Sequence, residues 1–142
     1  MPLTSAEDIR DLLTTTRTIA MVGASDRPDR ASHGVMAYLQ GRGYRVIPVN
    51  PTLAGAVLHG ETVHGALSDI GEPVDMVEIF RRSDAVGPIV DDAIAIGAKA
   101  VWMQLGVVNE DAAAKAEAAG LKVVMDDCPA RAIPRLGVPK VA

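Results

Sequence analysis

Five short apolar runs alternate along the chain with helix-type stripes, and this alternation restricts the possible folds more than any other feature of the sequence. The first run, Thr18 to Val22, has no polar alternation and stops at Gly23-Ala24-Ser25. Such a run suits a strand buried on both faces, as parallel sheets require. Tyr44 to Val49 is the second and must end at Asn50-Pro51; Pro48 cannot donate to a ladder, so this strand is irregular or weakly paired there. Val74 to Phe80, Ala100 to Leu105 and Leu121 to Met125 are the remaining three.

Between these runs lie the helices. One extends from Ser32 to Gly41 or Gly43, and Ser83 is expected to cap another whose stripe is Val86, Ile89, Val90, Ala93 and Ile94. Asn109 caps an Ala-rich helix that Gly120 stops. Ahead of the first strand, Thr4 or Ser5 followed by Glu7 and Asp8 marks a helix start, and Ile9, Leu12 and Leu13 form the stripe that covers one sheet face. Thr52 to Glu72 has no clear period, although Leu67 and Ile70 mark a short helical turn docking on the core.

The pattern specifies an α/β fold: a Rossmann-like open parallel sheet of about five strands with helices on both faces. The expected strand order is 3-2-1-4-5 rather than 2-1-3-4-5, because a long irregular stretch precedes the third strand and the helix after it must cross back. Residues 1–142 are expected to form a single domain, with 1–16 as an N-terminal helix and 129–142 as a C-terminal turn and tail. At this size a chain buries roughly 68 to 70% of its extended surface without a disulfide or structural metal.

A net charge of -4 argues against a general nucleic-acid or membrane-surface binder, and 3% aromatic residues leave no stacking platform for single strands. Met1 to Arg17 has acids and no apolar signal core, and the lone Cys128 fits a reducing compartment, so a cytoplasmic location is expected. Cys128 reads first as a buried small hydrophobe. His59 and His64 lack the spacing and the thiol partners of a metal site, and none is expected.

In such a sheet ligands bind beyond the carboxyl ends of the strands. Gly23-Ala24-Ser25, a loop through Arg27 and Arg30, and a helix opening at Ser32-His33-Gly34 have the layout of a phosphate site: exposed amides, a helix N-terminus and little side chain in the way. His33 at a helix start is unfavourable as a cation unless a phosphate neutralises it. The dinucleotide fingerprint is incomplete, since no second and third glycine follow Gly23 at the right spacing. Strand two ends in Asn50, where a ribose-binding carboxylate for NAD is expected.

The segments Gly23 to Pro28, Gly43 to Pro51, Phe80-Arg81-Arg82 and Trp102 to Gly106 resemble, in that order, the small stand-alone CoA-binding proteins. Their Rossmann-like fold is similar to the CoA-binding domain of the succinyl-CoA synthetase alpha subunit. The resemblance implies that coenzyme A or an acyl-CoA is the ligand. It implies that Gly23, Ala24, Ser25 and Arg27 contact the phosphate end, and that Asn50 and Pro51 border the nucleotide. Phe80 and Arg81 then line the groove, while Gln104 and Gly106 face the pantetheine arm. Arg30, Ser32 and His33 complete the candidate set. Two departures are Arg27 and His33, where the family often has Lys and Tyr, and a tail after Cys128 without the usual Lys- and His-bearing run. Binding without catalysis is the first expectation, with no catalytic and no metal-binding residue assigned. The alternative is a nicotinamide-dinucleotide-binding oxidoreductase or redox sensor. No nucleic acid or membrane partner is expected, and a homo-oligomer or protein partner is left open.

Overall fold

The computed structural model describes residues 1–141. In chain order its helices and strands are α1 (Ala6–Thr15), β1 (Thr18–Val22), α2 (Ala31–Gly41), β2 (Arg45–Val49), β3 (Val57–Leu58), β4 (Glu61–Thr62), β5 (Met76–Ile79), α3 (Val86–Ala95), β6 (Ala100–Met103), α4 (Glu110–Ala118), β7 (Lys122–Val124) and α5 (Pro129–Arg135). Ser5 caps α1 by accepting from the Asp8 amide at 3.1 Å, and Ile9, Leu12 and Leu13 are its buried stripe. Asn109 caps α4 in the same way, accepting from Ala112 at 2.9 Å.

The five long strands form one parallel sheet in the order β2-β1-β5-β6-β7. Counting those strands alone gives 2-1-3-4-5, which corrects the expected 3-2-1-4-5. The place beside β2 is already taken: the Asn50 amide donates to the His64 carbonyl at 2.9 Å, and the His64 amide to the Pro48 carbonyl at 3.0 Å. Groups of one strand residue point to the same side, so the N–H that Pro48 lacks would also have faced that outer edge. The proline thereby marks β2 as an edge strand. All four residues of β5 are fully enclosed, as befits a central strand rather than an edge. Asp75 holds it beside β1, its Oδ2 accepting from the amides of Arg17 and Thr18 at 3.0 and 2.9 Å.

The sheet divides two apolar layers. One packs α1, α2 and α5 over Ile19, Met21, Met76 and Trp102; the other packs α3 and α4 over Ala20, Val77, Ile79 and Val101. Three local expectations change. Ser83 does not cap α3, which starts at Val86 after a helical turn over Ser83–Ala85; its Oγ instead accepts from the Val108 amide at 3.0 Å. The irregular stretch contains the β3–β4 hairpin, whose turn residues His59 and Gly60 both have positive φ, as its tight turn demands. After Cys128 the chain forms α5 and then packs, with Val138 and Val141 buried and the Val141 amide donating to the Arg42 carbonyl at 2.9 Å. A side chain at Gly43 would meet the Val141 carbonyl oxygen at 1.9 Å. Among the described residues no helix is long and apolar enough to cross a membrane.

Candidate functional site

The carboxyl ends of β2, β1, β5, β6 and β7 lie side by side, and the segment that leaves each strand lines the upper rim of the sheet. The turn after β1 is forced to be glycine. Gly23 has φ of +89°, and a Cβ there would stand 2.1 Å from the Phe80 carbonyl oxygen. Its amide donates to the Val49 carbonyl at 3.0 Å, so the loop sits between the ends of β2 and β5. Asn50 braces the same loop: its Nδ2 donates to the Ala24 carbonyl at 2.8 Å, while its Oδ1 accepts from the Thr52 amide and hydroxyl, each at 2.9 Å. The position where NAD sites carry a ribose-binding acid therefore holds a structural amide.

Around this loop opens a polar cavity of about 490 Å³. It brings together Gly23, Ala24, Ser25, Arg27, Arg30, Ser32, Asn50, Phe80 and Arg81 of the candidate set, with Asp26, Ala31, Thr52 and Leu53 added. The start of α2 at Ala31 and Ser32 borders it, which turns the free amides of a helix N-terminus toward any bound anion. Ser25 Oγ accepts from the Arg27 amide at 3.1 Å and shapes the bend. Arg27 lies 3.3 Å from Asp29 in an exposed pair, which binds weakly enough to be exchanged for a phosphate. Arg30 and Arg81 make no ion pair among the described residues.

A second, larger groove of about 860 Å³ continues from the first, sharing Ala31, Phe80 and Arg81 with it. Its walls are mainly apolar: Val35 and Tyr38 from α2, Leu105 and Val107 after β6, and Cys128 and Ala130 at α5. Gln104 lies here, buried, with its Oε1 unpartnered. On the same sheet face Glu78 is fully enclosed, and neither carboxyl oxygen has a hydrogen-bond partner. Burial pushes its pKa well above the usual carboxylate range, and the nearby Cys128 adds to this; the Ile79 amide opposes it, but not in hydrogen-bond geometry. Next to Cys128, Asp127 takes both nitrogens of the Arg135 fork at 3.3 and 2.7 Å and accepts from the Cys128 amide at 2.8 Å. Trp102 Nε1 donates to the Asp127 carbonyl at 2.8 Å, which fixes this corner to the core.

Three candidate residues fall elsewhere. Pro51 lines a smaller cavity of about 360 Å³ on the other sheet face, with Val22, Val49, Ala85, Ile89 and again Arg81. Gly106 borders neither cavity; its amide donates to Asp126 Oδ1 at 2.7 Å, so it shapes the loop after β6. His33 turns away to pack against His59, ring centroids 4.3 Å apart and planes tilted by 54°, and its carbonyl accepts from His59 Nε2 at 3.0 Å. The groove residues of α2 were missed although Ala31, Val35 and Tyr38 recur at helical spacing and so share one side of the helix. At the opposite edge of the sheet a cavity of about 510 Å³ contains Asp75 and Lys99, already paired at 3.5 Å. Among the described residues no group of three or more His, Cys, Asp or Glu side chains is arranged for a metal.

A parallel sheet whose rim joins a cationic, amide-rich cavity to an apolar groove is a binding fold for a phosphorylated ligand with a long uncharged arm. Residues 17–134 match the CoA binding domain family, and the chain belongs to it. The protein YneT of Bacillus subtilis (strain 168), described as uncharacterized, is 40% identical over 124 residues, 87% of this chain and 90% of its own length. A hypothetical protein from Pyrococcus horikoshii OT3 is 38% identical, with a TM-score of 0.89 over 96% of each chain. An acetyl-coenzyme A synthetase of the dinucleotide-forming type from Ca. Korarchaeum cryptofilum is 26% identical with a TM-score of 0.68; the match spans 82% of this chain but 27% of that one. Family and neighbours together support CoA binding in general.

Proposed function

We propose that the chain holds CoA or an acyl-CoA along the carboxyl rim of its sheet and carries out no chemistry of its own on the acyl group. The carrying observation is the continuity of the two cavities through Ala31, Phe80 and Arg81, one polar and cationic, the other larger and mainly apolar. The diphosphate lies on the amides at Gly23 to Ser25 and at the start of α2, with Arg27, Arg30 and Arg81 as counter-charges. The adenine rests near Pro51 in the smaller apolar cavity, which Arg81 joins to the polar one. The pantetheine arm passes Phe80 and Gln104, and an acyl group fills the walls formed by Tyr38, Leu105 and Val107.

A binding role without acyl chemistry agrees with the occupied amides at the arm's end. Cys128 N–H is held by Asp127 and Gly106 N–H by Asp126, which leaves neither free to stabilise an oxyanion. Titration calorimetry with CoA, acetyl-CoA, dephospho-CoA, NAD and AMP tests the reading. CoA and acetyl-CoA are expected to bind most tightly and dephospho-CoA more weakly, for want of the 3'-phosphate. Tight NAD binding with no heat from CoA would defeat it.

A further inference from the structure

Resting on that CoA reading, we propose that Cys128 is a covalent capture site for the CoA sulfur, taking CoA from a small CoA-bearing disulfide as a protein mixed disulfide. The Cys128 thiolate attacks the CoA-side sulfur of CoA–S–S–R. The old S–S bond breaks, the bond from Cys128 Sγ to the CoA sulfur forms, and the leaving RS⁻ takes up a proton equivalent to the one Cys128 released. The disulfide is the co-reactant and brings the oxidation with it.

The arm of CoA is long enough to reach this thiol. Cys128 borders the apolar groove at the end of β7, three strands from the phosphate loop at the end of β1, or on the order of 14 Å at the usual strand spacing. The arm from CoA's diphosphate to its sulfur has about the backbone length of four to five extended residues, roughly 15 Å. The sulfur of an anchored CoA therefore arrives at Cys128.

The site is also built for an arriving polar group. Gln104, only 7% exposed and lining the same groove, keeps an unpartnered Oε1 that lacks a donor such as the terminal amide N–H of pantetheine. Behind Cys128, Glu78 presents two unpartnered oxygens in a fully enclosed carboxyl, and its burial opposes a fixed negative charge beside the sulfur. The two acids preceding the cysteine are engaged as well, Asp127 by Arg135 and Asp126 by the Gly106 amide. Disulfide exchange, unlike acyl transfer, builds no oxyanion and needs none of the amide donors that are already occupied here.

The test uses the reduced wild-type chain with CoA disulfide and, in parallel, oxidised glutathione at equal concentration, followed by intact-mass spectrometry. A CoA-sized adduct, removed by dithiothreitol and absent in Cys128→Ser, is expected on the order of 10²-fold faster than the glutathione adduct, because the phosphate anchor raises the local concentration. Excess S-methyl-CoA, which binds but cannot exchange, should slow it. No CoA adduct, or equal rates for the two disulfides, would overturn the proposal. Calorimetry of Cys128→Ser with reduced CoA separates the two levels. Binding there without an adduct in the wild type defeats the capture site alone, whereas no binding by either protein defeats the CoA reading too. Cys128→Ala, checked by its melting curve, repeats the comparison if the serine variant fails to fold.

Discussion

The two ends of the sheet treat their polar groups in opposite ways. At the amino end they close the structure: Asp75 accepts from the amides that begin β1 and meets Lys99, so its charge is consumed within the fold. At the carboxyl end Arg30, Arg81, Gln104 Oε1 and the opening of α2 are left spare around two joined cavities. Buried polar groups without partners cost stability, and at the carboxyl end the buried Gln104 oxygen is such a group beside unpaired cationic side chains, an arrangement suited to a ligand.

The most severe way to break this contrast is at Gly23. Gly23→Val places a side chain against the Phe80 carbonyl and in a backbone region that a β-branched residue avoids. A stability loss of roughly 3 to 5 kcal/mol is expected in denaturant unfolding. A variant within about 1 kcal/mol of wild type, on the order of a surface substitution, would mean that the loop can move and that the rim is not fixed.

Asp75→Ala attacks the other end. Partial burial works against its ionisation, but the amides of Thr18 and Arg17 and the Lys99 ammonium outweigh that and hold its pKa below the ordinary aspartate value. The folded form therefore binds its proton less readily than the unfolded one. Its stabilisation is present above the unfolded pKa near 3.8 and is lost as pH falls through the lowered folded value. Removing it should cost roughly 2 to 3 kcal/mol at neutral pH, with the gap to wild type closing in acid, while CoA affinity is unchanged. A fall in affinity would erase the division of labour between the ends.

Arg81→Ala should do the reverse, weakening CoA by roughly 1.5 to 3 kcal/mol in calorimetry and leaving the melting temperature alone. Arg27→Ala should weaken it less, since Arg27 must first leave Asp29. Equal effects would place the diphosphate nearer the loop than the shared wall.

The smallest effect concerns Glu78. Its pKa is shifted upward by burial, so the folded chain keeps a proton that the unfolded chain sheds above the ordinary glutamate value of 4.5. Stability on this account falls as pH rises between the two values. Glu78→Gln should therefore raise Tm by roughly 2 to 4 °C near pH 8 and change it little near pH 4, read by calorimetric scans. An effect independent of pH would show that the carboxyl is not what the fold strains against.

Much of this was legible in the residues. The apolar runs, the cap at Ser5, the cap at Asn109 and the Gly23 turn are decided by neighbours close in sequence, where side-chain period and backbone preference act directly. The polar cavity was legible for the same reason, since its residues come directly after the strand ends that the pattern locates. The strand order was misread although Pro48 carried the signal, because an edge is defined by what lies beside it. The Ser83 hydroxyl went to Val108 rather than to its own helix for a similar reason: a tertiary partner outcompeted the local one.

By itself, then, the sequence determined an alternating α/β chain whose strand ends carry a phosphate-type loop, since periodicity and turn chemistry are local properties. Only the tertiary structure decided that His64 would close the outer edge of β2 and that β5 would lie on the other side of β1. That same packing turned His33 toward His59 and brought Gln104, Cys128 and Glu78 to one face, although they come from three different strands or strand ends. Such meetings depend on which segments compete for one edge or one face, and that competition is settled by contacts between residues far apart in the chain.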